Sequence, residues 1–119
     1  MDAVSDVKQK NNAESMLWQL PAVEVVQLLK EGKVSPLQLI DIAEARVSET
    51  RYLNATPILC LQRARKRARS LRIPRPGDPS PGPGYLYGLP ILVKDSQPLA
   101  GVRFVCGSMM HANRMASET

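Results

Sequence analysis

Between Pro74 and Gly84 the chain carries Pro74, Pro76, Pro79, Pro81 and Pro83 together with Gly77, Gly82 and Gly84. No helix or sheet ladder continues through such a stretch, because each proline removes a backbone donor and fixes φ, while each glycine adds conformational freedom. Residues 74–84 are therefore an exposed connector. Helical periodicity lies before it, and short apolar runs lie after it.

On the N-terminal side, Pro21 stands where a missing N–H costs nothing, and Ala22, Val25, Val26 and Leu29 recur on one helical face before Gly32 stops the pattern. Ser35 opens a second helix, with Pro36 at its first position and Gln38 three residues after the serine, a capping-box arrangement. Leu39, Ile40, Ala43 and Val47 form its apolar face, with Asp41, Glu44 and Arg46 facing outward, so a helical hairpin is expected. Thr56 to Leu61 reads as a short strand that Pro57 confines to an edge. A third helix follows, with Leu61, Ala64, Ala68 and Leu71 on its packing face.

Beyond the connector, Ile91, Leu92 and Val93 form a continuous apolar run between Pro90 and the polar Asp95-Ser96-Gln97-Pro98, which suits a short strand covered on both faces. Lys94 then stands at a strand's carboxyl end, where open α/β sheets place their crevices and where burial would favour a neutral amine. Taken alone, such a lysine is better explained by solvation of a strand end. Phe104-Val105-Cys106 is a candidate second strand.

The block Gly88-Leu-Pro-Ile-Leu-Val-Lys94-Asp95, followed by Leu99-Ala-Gly101-Val and Cys106-Gly-Ser108, resembles the first conserved block of the amidase signature family. Ala22 to Gly32, the Val34-Ser35-Pro36 helix start and Leu53-Asn54-Ala55 are similar to the helical lead-in of that family, so the resemblance extends over residues 17–119. It implies an α/β fold, the N-terminal part of an α/β/α sandwich with a mixed sheet, opening with the helical hairpin. It also implies carboxamide hydrolysis through an acyl-enzyme, with Lys94 as the base of a Ser-cisSer-Lys triad and with no metal or cofactor. The partner is then a small-molecule amide. The family's transamidating subunit, which acts on misacylated transfer RNA, is the alternative; the Cys106-Gly107-Ser108 form and the long proline loop favour a free-standing amidase.

In the resembled pattern both catalytic serines follow the last residues present here. Residues 13–119 are thus expected to be an incomplete portion of one amidase domain, inactive alone and presenting unpaired strand edges and apolar faces. Met1 to Asn12 is polar and aperiodic, a tail without the apolar core of a secretion signal. No run approaches the length of a membrane span, and a cytoplasmic location is expected.

The remaining polar residues are weaker candidates. Asp95, next to Lys94 along an extended chain, points to the opposite face and suits a structural role. Ser108 belongs to a Gly-Ser turn and is not the acylated serine of the resembled family. His111, the sole histidine, has no ligand partner at metal spacing. Gly101 and Gly107 suit positive φ or close backbone approach near the lysine. Cys60 and Cys106 read as free, buried thiols.

The formal charge of +5 is concentrated in Arg63, Arg65, Lys66, Arg67, Arg69 and Arg72. The intact apolar period favours a packed helix whose arginines reach into water, over a basic module that binds nucleic acid. With one Phe, one Trp and three Tyr in the chain, the aromatic interleaving of a single-strand binder is missing.

Overall fold

The structure, a computed structural model, describes residues 16–119, so the expected tail over residues 1–12 lies outside the described residues. The chain divides into two units: one comprises the described residues up to Thr56 together with Leu61–Pro90, and the other comprises Pro57–Cys60 and Ile91–Thr119.

The first unit is helical. A 3-10 turn at Leu17–Gln19 precedes α1 (Ala22–Lys30), α2 (Pro36–Glu49), a second 3-10 turn at Arg51–Leu53 and α3 (Leu61–Ser70). Pro21 is the N-cap of α1 rather than its first residue, and its carbonyl accepts from Glu24 N at 3.0 Å. At the other end Gly32, with φ +69°, closes a Schellman motif: Lys33 N donates to Leu28 O at 2.9 Å and Gly32 N to Leu29 O at 3.1 Å. That reversal delivers Val34, 6% exposed, into the core directly before α2.

The start of α2 is the expected capping box. Ser35 Oγ accepts from Gln38 N at 3.2 Å, and Gln38 Oε1 accepts from Ser35 N at 2.8 Å. Two orphan donors are satisfied reciprocally, and Ser35→Ala is expected to cost about 1 kcal/mol, read as a lower midpoint in urea unfolding. Val25, Leu29, Val34 and Leu39 form the core, joined by half-buried Leu17, Leu28, Ile42, Tyr87 and Leu89. Arg46, paired with Glu49, holds its guanidinium 4.0 Å from the Trp18 ring centre and pins the first 3-10 turn to α2.

α3 packs on α2 with Leu61, Ala64, Ala68 and Leu71 half-buried. One arginine departs from the expected outward set. The side chain of Arg65 is 17% exposed and donates to Asp41 at 2.8 Å and to Glu44, so both α2 carboxylates converge on it. These two bonds, the one to Asp41 foremost, raise the pKa of its guanidinium.

The α/β expectation is corrected in its β part: among the described residues no strand forms, and the single ladder contact is an isolated antiparallel bridge between Arg103 and Met115. Residues 56–60 are irregular, Ile91–Val93 is unpaired, and the 104–106 segment enters a turn. The physical reason is common to all three. A strand exists only through its neighbour's hydrogen bonds, and none of these segments has a neighbouring strand to pair with. Consequently Ile91, Leu92 and Val93 are 68%, 81% and 48% exposed instead of buried. The connector at 74–84 is irregular, as expected, and mostly exposed.

Candidate functional site

The lysine block ends in a turn: Gln97 N donates to Lys94 O at 2.8 Å, and the Lys94 side chain is exposed. Its Nζ has no hydrogen bond or ion pair among the described residues. The neighbouring aspartate does the organising. Asp95 Oδ1 accepts from Val105 N at 3.0 Å, and Oδ2 accepts from Gly107 N at 3.4 Å.

Those amides converge because Val105–Ser108 is a tight turn closed by Ser108 N donating to Val105 O at 3.0 Å, with Cys106 at φ +50° and Gly107 at φ +67°. Two successive residues at positive φ aim their N–H groups to one side, a concavity suited to a carboxylate. The Val105 amide above all, with those of Gly107 and Cys106 and the nearby Arg103 charge, outweighs desolvation and holds the Asp95 carboxyl below its ordinary range. A carboxylate whose folded pKa is depressed adds stability above its unfolded pKa, near 4, and loses it as pH falls through the folded value. Asp95→Asn is therefore expected to lower the melting temperature at pH 7, by a difference from the parent chain that narrows as pH falls toward 2. Equal differences at both pH values would contradict this account.

Ser108 acts locally on the backbone: its Oγ accepts from Met110 N at 3.3 Å and caps the 3-10 turn Met109–His111. His111 ends that turn, exposed, and no group of three or more His, Cys, Asp or Glu among the described residues is placed to hold a metal ion. Gly101 adopts φ +76° in the turn closed by Val102 N donating to Leu99 O at 2.9 Å, and its own N donates to Ala116 O at 2.8 Å. Positive φ and close backbone approach coincide at this glycine. Cys60 and Cys106 are free, but the expectation of burial is corrected: both are exposed, because the apolar segments around them lack a packing partner.

Arg114 is the organising residue with no signal in the sequence. Its backbone carbonyl accepts from Phe104 N at 2.9 Å, and its Nε donates back to Phe104 O at 2.9 Å. The guanidinium carbon lies 4.3 Å from the Phe104 ring centre, and Nη2 is 3.3 Å from Cys106 Sγ. Asp95 and Arg114 thus fix the Phe104–Ser108 loop from two sides. The Lys94-Asp95 step is consequently attached to a shaped turn by its aspartate.

The chain is similar to the A-type subunit of the mitochondrial glutamyl-tRNA(Gln) amidotransferase of Ornithorhynchus anatinus, at 34% identity over 87 residues, 73% of this chain and 16% of the relative. The corresponding protein of Ixodes scapularis is 35% identical over 91 residues, 76% of this chain and 17% of the relative. Its counterpart in Deinococcus radiodurans is 33% identical over 98 residues, 82% of this chain and 20% of the relative. The likeness to these subunits supports the resemblance of the chain to the amidase signature family. The chain spans 16% to 20% of the length of these relatives. No family model and no solved structure matches it. Its relatives include mitochondrial and bacterial proteins, which leaves the cytoplasmic expectation without support from kinship. No described helix is long and apolar enough to cross a membrane.

Proposed function

We propose that the chain is the base-bearing segment of a Glu-tRNA(Gln) amidotransferase A-type subunit, with Lys94 as the proton acceptor in carboxamide cleavage. The observation that carries this reading is the likeness to four such proteins over 73% to 87% of the chain. It outweighs the preference of the Cys106-Gly107-Ser108 form and the long proline loop for a free-standing amidase, which rests on one turn and one connector.

In this reading the two serines come from outside the 119 residues. The nucleophilic hydroxyl adds to the amide carbonyl and passes its proton through the second serine to Lys94 Nζ. The departing amine takes that proton back, and an acyl-enzyme is left. Asp95 fixes where Lys94 begins, because its carboxylate ties the backbone step to the Val105–Ser108 turn.

The test is a graft. The 98-residue matching stretch replaces its counterpart in the Deinococcus radiodurans protein, which is assembled with its partner subunits and assayed for amide transfer to Glu-tRNA(Gln). Retained transfer is the expected result. A graft that cleaves amides but transfers nothing would favour the free-standing amidase.

A further inference from the structure

We infer that the outward face of α3 is a phosphate-contacting surface for a folded RNA. The sequence of α3, Leu61–Ser70, contains no acidic residue. Its apolar face and Arg65 are turned toward α2, where Arg65 takes both nearby carboxylates, Asp41 and Glu44. Lys66, Arg67 and Arg69 are exposed and form no ion pair among the described residues. Arg72 beyond the helix is 3.7 Å from Asp78 and is already engaged.

This arrangement is unfavourable in isolation. Lys66 and Arg69, three positions apart, repel along the helix, and Lys66 lies outside the last turn, where Arg67 and Arg69 gain from the helix dipole. A polyanion relieves the repulsion and releases counterions. The face carries no aromatic residue for base stacking, so it suits the backbone of a paired helix rather than a single strand. Insertion into a membrane surface would require an apolar face, and the apolar side of α3 packs on α2. The choice of RNA as the source of the phosphates rests on the proposed function.

The 119-residue chain is titrated against a fluorescently labelled transfer-RNA transcript between 50 and 200 mM salt. Three neutralised phosphates give a log–log slope of about −2.7, a loss of about 40-fold over that range. Lys66→Gln/Arg67→Gln/Arg69→Gln is expected to flatten the slope by about three and to weaken binding at least tenfold at 50 mM salt. Lys66→Gln/Arg67→Gln should flatten it by about two, a second reading if the triple variant melts early. Lys30→Gln/Lys33→Gln/Arg51→Gln removes the same charge elsewhere in the unit and should leave binding unchanged. Equal loss in that control, absence of transfer-RNA binding at 50 mM salt, or binding confined to duplex DNA or to phosphatidylserine vesicles would overturn the inference. None of these results bears on the graft's amide transfer, so the two proposals fail separately.

Discussion

Lys94→Ala in the grafted A-type protein is expected to lower kcat for amide cleavage by about 10³-fold, the middle of the range that a positioned proton-transfer group contributes. KM should change little, because the base acts on a hydroxyl of the enzyme and not on the bound amide. Lys94→Arg should fail as completely as alanine. It keeps the charge and most of the reach, but a guanidinium does not release its proton in proteins and so does not serve as a base. Asp95→Ala, in contrast, disturbs the backbone on which Lys94 stands and should give a smaller loss, accompanied by a lower melting temperature. Turnover near the parent level in Lys94→Ala would remove the lysine from the mechanism. A base of this type has to act as a neutral amine, and removal from water is what favours that form. Ile91, Leu92 and Val93 lead directly to Lys94 and are all exposed. The chemistry proposed at Lys94 is therefore expected to appear only in the grafted protein and not in the 119-residue chain.

How far the fold is legible follows from the range of the interactions involved. The Ser35, Pro36 and Gln38 cap, the stop at Gly32 and the three helices are set by residues within a few positions of one another, and the structure reproduces them. Strand pairing is not local. Ile91–Val93 has the composition of a buried strand, but composition supplies no partner, and the segment stays irregular and unpaired. Residue type alone places Arg65 outward, although position 65 lies next to Ala64 and Ala68 on the packing face. The legible clue is on the other helix, where Asp41 and Glu44 stand three residues apart and so share a face. Of the site, the structural role of Asp95 is readable from its place beside Lys94, whereas Lys94 itself is marked by the family resemblance and not by spacing. Arg114 is not, since its hold on Phe104 depends on a chain reversal that no motif announces.

Gly88→Ala should be the most damaging of the conservative substitutions, costing about 2–5 kcal/mol: about 1–2 for the left-handed backbone and about 1–3 for overpacking. Tyr87 and Gly88 occupy the middle of a turn with φ +51° and +88°, closed by Leu89 N donating to Leu86 O at 2.9 Å. Both central positions need positive φ, which fits a type I′ turn. A methyl group at Gly88 would lie 2.5 Å from Pro36 Cγ and 2.8 Å from Leu71 Cδ2. Leu71 has rotamers to escape through, whereas the Pro36 ring is fixed at the first turn of α2, immediately behind the Ser35 cap. Relief must therefore move either the helix start or the turn that seats Tyr87 and Leu89 against the core. Gly82 supplies a matched control, because its φ is +91° and nothing lies within 4 Å of the site where its methyl would stand. Gly82→Ala should show the backbone cost alone, about 1–2 kcal/mol. The difference between the two variants in urea unfolding, followed by helical circular dichroism, then isolates the contact with Pro36. Equal losses would show that the two glycines serve only their φ. A larger loss at Gly88 would assign the first glycine of the lysine block to helix docking, a role separate from the chemistry at its far end.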